Sequence, residues 1–395
     1  MLGGVTILRD VRVVHVADSH LDPKLTFLGP KVYERRQDFM KSFMRVVEYV
    51  VETKPHVLII AGDLFDSINP RNPVRTCVLQ AIRRIRSEGV KVFSVAGNHD
   101  SPRSQEEGMS PLSELEASGY MTFFSSPRDF KVEHLQVEGL DIAVTGISFD
   151  HSLNPNVDPL QHYNLKMPTE GDVNIAVMHY NFTGFRIPKH WEAPTILSKS
   201  LPEELDYLAL GHIHSSGSMR MGRPLIAYPG STERRSFNEE EDAKKGFLDV
   251  TLRHDGGAEA RFIEVPARPL KTFEVVFDEK VENPVEHALG SVENGPETLA
   301  RLVVRGSLPL DRIRDYSKAE LLKRLENRFF YTLIDDSELK CLFREVKLST
   351  SLTGPVEAYR KAVEAHIEKA GEEEKRILDR ALSLGITMLE EMGAW

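Results

Sequence analysis

Five short apolar runs in the first 214 residues each end in a cluster of carboxylates, amides or imidazoles. Val11 to Ala17 leads into Asp18-Ser19-His20, Val57 to Ala61 into Gly62-Asp63-Leu64-Phe65-Asp66, and Lys91 to Ala96 into Gly97-Asn98-His99-Asp100. The run 173–178 ends at His179, and 207–210 ends at Gly211-His212-Ile213-His214. The first three runs are separated by amphipathic segments, 31–53 (Phe39, Phe43, Val46 and Val50 at helical spacing) and about 73–88. This βαβαβ rhythm predicts a largely parallel sheet core. Side chains that follow the carboxyl ends of such strands converge on one edge, so the five clusters are expected to meet there.

What meets there has a definite chemistry. Asp18, His20, Asp63, Asn98, His179, His212 and His214 offer two carboxylates, an amide and four imidazoles. Buried together they would be costly without a metal, and mixed nitrogen and oxygen donors suit manganese, iron or zinc better than calcium. Two divalent cations over two carboxylates leave net positive charge for a phosphodiester, and they activate water for hydrolysis. Asp63, with two carboxylate oxygens, is the candidate bridge. His99 projects differently from the adjacent Asn98 and is assigned as general acid or transition-state donor. Asp66, three residues past Asp63, is expected to accept a hydrogen bond from His99 and fix its tautomer. His15, His56, His134 and His287 are read as structural or surface residues.

The rest of the chain sets the context. Further strands are expected at 120–124, 130–136, 141–147, 225–228, 246–252 and 259–265, so the later half is richer in β structure. Pro266-Ala267-Arg268-Pro269 marks a boundary. The division predicted is 1–267, then a smaller α+β unit at 268–348 (strands 271–277 and 302–304, helix 317–328), a linker at 349–355, and a helical tail at 356–395. In the tail Val356, Tyr359, Val363 and Ile367 recur at helical spacing, as do Leu378, Leu382, Ile386 and Leu389. These faces either fold back on the chain's own core or dock on another protein. Acidic residues outnumber basic ones, 60 to 50, which argues against a nonspecific nucleic-acid coat protein but not against a nuclease whose cations neutralise phosphate. Two cysteines exclude a disulfide framework. With no apolar run of spanning length and no secretory signal at the N-terminus, a cytoplasmic location is expected and no membrane association.

At these motifs the sequence resembles the calcineurin-like metallophosphoesterase superfamily, and within it the SbcD / meiotic-recombination-eleven nucleases. The stretch His15-Val16-Ala17-Asp18-Ser19-His20-Leu21-Asp22 carries the likeness, together with Arg35-Arg36-Gln37-Asp38 and the two later acidic motifs. The resemblance implies a β-sandwich flanked by helices, a small α+β capping domain and a C-terminal helical hairpin. It implies one cation on Asp18, His20, Asp63 and His214, and a second on Asp63, Asn98, His179 and His212, with manganese as the metal. It implies 3′ to 5′ exonuclease activity on duplex ends, endonuclease activity on single strands, and a homodimer. It also implies an SMC-like ATPase partner of the SbcC type, received by the tail through the eight residues named above. For the dimer, Val74, Val78, Leu79, Ile82, Leu112 and Leu115 are either a four-helix contact or an internal core face. Arg71, Arg75, Arg103, Arg186 and Lys189 are either DNA-backbone contacts or solvated charges. Asp66 stands where many relatives carry His and others Asp. The alternative is a dinuclear phosphatase or cyclic-nucleotide phosphodiesterase, which would not need residues 270–395.

Overall fold

The stretches 13–16, 57–61 and 92–95 lack polar alternation, and the computed structural model shows why: they are covered on both faces. The structure describes residues 10–187, 191–342 and 354–393. The N-terminal segment read as lacking a secretory signal, Lys189, and residues 343–353 with the end of the expected capping unit and most of the linker lie outside these, as do residues 394–395.

One six-stranded sheet has the order Ala258–Glu264, Gly246–Arg253, Asp10–Val16, Val57–Ala61, Lys91–Val95, Thr122–Phe123. Its last four strands are parallel, and Gly246–Arg253 joins them antiparallel. The other has the order Gly217–Arg220, Leu225–Tyr228, Tyr207–Leu210, Val173–Met178, Leu140–Ile147, Lys131–Val137, with four parallel strands between two antiparallel edges. Val11, Val13, Val57, Ile59, Phe93 and Val95 of the first sheet face Ile142, Val144, Ile175, Val177 and Ala209 of the second across a shared core. Their neighbours Val14, Val16, Leu58, Ile60 and Val92 pack instead under the helices Val32–Thr53 and Asn72–Ser87. The result is a helix-flanked β-sandwich. A single parallel sheet, the reading from rhythm alone, would leave the inner face of the first sheet uncovered; the β-rich later half supplies its cover.

The helix Asn72–Ser87 uses its apolar stripe for this packing. Val78 and Ile82 are fully buried in the core with Leu112, and Leu115 is nearly so. These four are therefore corrected from dimer-contact candidates to internal core residues; Val74 and Leu79 keep partial exposure.

Residues 270–342 build a separate parallel sheet, Leu270–Phe277, Gly295–Pro309 and Phe329–Leu342. Helices Pro284–Gly290 and Lys318–Leu325 cover one face through Val285, Leu289, Leu321 and Leu325. The third strand is hidden in the sequence by its carboxylates, which sit on its exposed half. On the other face the Arg268 guanidinium lies 3.7 Å from the centre of the Phe330 ring and pairs with Asp38 (2.7 Å) and Glu34 (3.1 Å). Arg35 in turn bridges Asp38 and Glu233, both at 3.0 Å. The Arg35-to-Asp38 motif thus ties the first helix to this unit and to the loop after Tyr228.

The helices Pro355–Ile367 and Glu372–Glu391 pack on each other, and none of their described residues is fully buried. The Tyr359 ring rests against Gly385, and its hydroxyl donates to the Ala381 carbonyl at 3.0 Å. Val356, Tyr359, Val363, Ile367, Leu378, Leu382, Ile386 and Leu389 are all half-buried on this seam, because each short helix covers its apolar stripe with the other's. The exposed apolar stripe is a different one: Ile377, Leu384 and Met388 are 68%, 64% and 57% accessible. Among the described residues no helix is long and apolar enough to cross a membrane.

Candidate metal centre

The five polar clusters come together at the carboxyl ends of strands from both sheets. Asp18, His20, Asp63, Asn98 and His99 follow strands of the first; His179, His212 and His214 follow strands of the second. The centre therefore straddles the sandwich edge instead of lying on one sheet's rim. The loops are cross-tied: Asp18 N–H donates to the Gly62 carbonyl (3.1 Å), His20 to Asp63 (2.9 Å) and Leu21 to Leu64 (2.9 Å). Asp18, His20, Asp63 and His212 all have positive φ (52°, 42°, 50° and 96°). Such backbone is costly for residues with a Cβ and persists where surrounding contacts enforce it, characteristically at functional sites. Gly62 (φ 88°) and Gly97 admit no side chain: a Cβ on either would stand 2.3 Å from His179 Nδ1 or from Asp63 Oδ1.

The donor atoms fall into overlapping groups. Asp18, His20 and His214 form one, Asp18, Asp63 and His179 another, each with donor atoms within 4.8 Å of one another. His20 Nε2 lies 2.9 Å from His214 Nε2 and 3.8 Å from Asp63 Oδ2. On the other side, His179 Nε2 is 3.3 Å from Asp63 Oδ2 and 3.2 Å from Asn98 Oδ1, which is 3.0 Å from His212 Nδ1. Asp63 sits between the two sides. All seven residues thus belong to one contiguous set of donor atoms. His99, assigned as a proton donor, also falls within 4.8 Å of His20 and Asp63.

Burial dominates the electrostatics. It pushes the imidazoles of His20 and His212 down to about 3 and that of His214 to about 4, so all three stay neutral with lone pairs available. Burial raises the Asp18 carboxyl, and neighbouring Asp63 adds to the rise. Burial opposes protonation of His179, but Asp63 and Asp18 outweigh it and raise the ring to about 9. The raised His179 ring thus sits against the paired carboxylates of Asp63 and Asp18. A divalent ion held there would satisfy the same carboxylates and leave His179 Nε2 available as a ligand. The residues fit a metal pair.

Groups behind the imidazoles fix their orientation. His179 Nδ1 faces the Ala61 carbonyl at 2.8 Å. His20 Nδ1 is 3.3 Å from Asp66 Oδ1. His99 departs from expectation: its Nδ1 is 3.1 Å from the backbone carbonyl of Asp66, and 3.8 Å from the carboxylate. The carboxylate is turned toward His20 and toward Arg235 Nε at 2.5 Å; despite its burial, His20 and Arg235 hold it down at about 2. Asp66 therefore orients His99 through its main chain and His20 through its side chain. His214 Nδ1 meets Glu239 Oε1 at 3.2 Å, and Glu239 is paired with the buried Lys245. Burial would raise the Glu239 carboxyl, but the Lys245 charge and then His214 hold it well below the usual range.

Arg235, Glu239 and Trp191 are functional candidates the motifs do not contain. With Asn98, His99, His212 and His214 they line a cleft of about 310 Å³ over the centre. Their only sequence signal is position: Arg235 and Glu239 lie in the loop after the strand Leu225–Tyr228. Among the expected DNA contacts, Arg71 is held by Asp22 (2.7 Å) and Arg75 by Glu114, which leaves both guanidinium groups engaged; Arg103 and Arg186 are exposed.

The profile of the calcineurin-like phosphoesterases matches residues 11–216. The chain is similar to the DNA double-strand break repair protein Mre11 of Methanopyrus kandleri, 30% identical over 310 residues that cover 75% of this chain and 63% of that protein. It is 30% identical over 275 residues to the protein of that name from Methanocaldococcus jannaschii, covering 66% and 70%. For the one from Methanosarcina mazei the figures are 27% over 358 residues, covering 85% and 53%. The chain thus spans between 53% and 70% of the length of these relatives.

Proposed function

Because this chain belongs to the calcineurin-like phosphoesterase family, and within it to the Mre11 and SbcD group, we propose that it hydrolyses DNA phosphodiesters at double-strand breaks. The observation that carries this is the meeting of seven donor residues from five loops, with backbone strain at four of them, over a cleft open to substrate. Asp18, His20, Asp63 and His214 would hold one divalent cation; Asp63, Asn98, His179 and His212 the other, with manganese as the metal. Bound there, the pair supplies positive charge for the phosphate and acidifies water.

The remaining work belongs to side chains. Asp63 Oδ1 accepts the His99 N–H at 2.7 Å, which locks the His99 backbone to the centre. His99 Nδ1–H donates to the Asp66 carbonyl, so Nε2 is the nitrogen presented to the cleft, from which it would protonate the leaving oxygen. Arg235, held by Asp66, lines the same cleft and suits a phosphate oxygen. Activity would comprise 3′ to 5′ exonuclease and single-strand endonuclease cleavage. The unit at 270–342 would cap the DNA, and Arg103 and Arg186 would contact its backbone. Val74 and Leu79 would contribute to a homodimer. For the SMC-like ATPase, the exposed stripe Ile377–Leu384–Met388 replaces the seam residues as the docking face.

The test is to supply the protein with manganese and offer end-labelled duplex, single-stranded DNA, a phosphopeptide and a small phosphodiester. Cleavage of DNA and diester is expected. Selective turnover of the phosphopeptide would overturn the nuclease reading.

A further inference from the structure

We propose that Glu239 and Lys245 are positioning residues that hold the His214 imidazole, and thereby make the Asp18–His20–His214 half of the centre the tighter of its two cation positions. The inference rests on the two-cation reading above. Glu239 takes His214 Nδ1 at 3.2 Å and the backbone N–H groups of Arg235 (2.7 Å) and Ser236 (3.0 Å). Its second oxygen receives Lys245 Nζ at 2.5 Å. Lys245 also donates to the Ser231 hydroxyl (2.9 Å) and to the main-chain carbonyl of His214 itself (3.1 Å). Both side chains are almost fully buried, at 1% and 3% accessible. Lys245 therefore grips His214 from two directions, by its carbonyl and by the carboxylate behind its ring. With Nδ1–H given to Glu239, Nε2 keeps its lone pair and points at His20 Nε2, 2.9 Å away. That is the tautomer a cation requires.

The two halves differ in what stands behind them. In the first, His20 is backed by the Asp66 carboxylate and His214 by Glu239; Asp18 lies between the halves, 3.9 Å from His214 Nε2 and 3.8 Å from His179 Nε2. In the second, His179 is backed by the neutral Ala61 carbonyl, and Asn98 contributes a neutral amide oxygen. Anionic partners raise the basicity of an imidazole donor and fix its ring. A buried ion pair adds little net stability over a well-packed apolar pair, so the consequence of this one lies in the ring it orients.

The experiment is a manganese titration of the full chain, followed by the electron paramagnetic resonance of free ion and by calorimetry, with circular dichroism in EDTA as the folding control. Wild type should show a tighter and a weaker step. Glu239→Ala should weaken the tighter step by about 10- to 100-fold, the range for loss of such a partner, and leave the weaker step in place. Lys245→Met should move the same step in the same direction. Glu239→Gln, which keeps an acceptor for Nδ1–H, should fall between, and it carries the test if the alanine variant does not fold. An unmoved tight step in a folded variant, a shift confined to the weaker step, or two equal sites in wild type would overturn the proposal. A wild-type chain that takes up no divalent ion overturns the two-cation reading itself, and this inference with it.

Discussion

Gly62→Ala probes how the acidic loop after the second strand fits against His179 from the opposite sheet. Gly62 has φ of 88°, and an added Cβ would stand 2.3 Å from His179 Nδ1 and 2.9 Å from the Gly97 nitrogen. Ordinary contact begins near 3.4 Å, so the imidazole must retreat by about 1 Å in a close-packed interior. Left-handed backbone costs alanine about 1–2 kcal/mol. Loss of the 2.8 Å contact to Ala61 leaves a buried carbonyl unpaired, at about 1–3 kcal/mol. The sum, about 2–5 kcal/mol, lowers the midpoint of thermal unfolding by about 5–15 °C for a unit of this size. A catalytic-site displacement of about 1 Å costs about 100-fold in rate. Gly89→Ala is the matched control, since Gly89 has φ of 87° with nothing within 4 Å of its added Cβ. It incurs the backbone cost alone. Scanning calorimetry in EDTA and in manganese, with small-diester cleavage as the rate assay, separates the two. Equal midpoints and equal diester rates for the two variants would refute the packing argument.

His99→Ala should retain both cations by titration while diester and DNA cleavage fall about 100- to 10,000-fold; loss of a cation would make His99 a ligand, which its place beside His20 and Asp63 brings within reach. Asp63→Asn should weaken both cation steps together, because Asp63 lies between the two sides; loss of one step only would remove it as the bridge. Leu384→Glu with Met388→Glu should abolish co-purification with an SMC-like ATPase and leave diester cleavage unchanged, whereas Leu382→Glu should unpack the hairpin; retained co-purification in the first variant refutes the exposed stripe as the docking face. His15, bonded to the Tyr207 hydroxyl at 2.7 Å, is pushed by burial from 6.5 to about 3. The folded chain keeps it neutral while the unfolded chain protonates it, so its contribution is lost as pH falls from 6.5 toward 3, at about 1.4 kcal/mol per unit. His15→Gln should flatten the stability of the metal-free protein over that window, and an unchanged slope by denaturant titration would refute this.

The convergence of the five polar clusters was legible because each is contiguous in sequence and follows a strand. So was the parallel core of the first sheet, because apolar runs buried on both faces read as such, whereas the addition of Gly246–Arg253 and Ala258–Glu264 to its edge was not. What supports the ligands was not legible. Glu239 stands in the acidic run Glu239-Glu240-Glu241-Asp242, which reads as a solvated loop, yet it alone of these turns inward to Lys245 and His214. The three-residue spacing from Asp63 places Asp66 near His99 but does not say which of its atoms faces the ring: the carboxylate goes to His20 and Arg235, and the main-chain carbonyl to His99. The helix Asn72–Ser87 has one apolar stripe, and periodicity cannot say whether it covers the chain's own sheet or a second copy. Packing decides, and it chooses the sheet for Val78 and Ile82.

The division of the donor residues between two sheets has a physical consequence. Asp63 belongs to a loop of one sheet and His179 to a loop of the other, 3.3 Å apart, and no covalent link shorter than the chain between them sets that spacing. It is set by the shared core, where Val57, Ile59 and Ala61 meet Val173, Ile175 and Val177. A cavity or an added methylene in that layer changes the separation of the sheets before it unfolds them, since interiors transmit strain instead of absorbing it. Cations held between these loops would therefore also clamp the sandwich, which would make cation affinity and inter-sheet packing two readings of one coupled equilibrium.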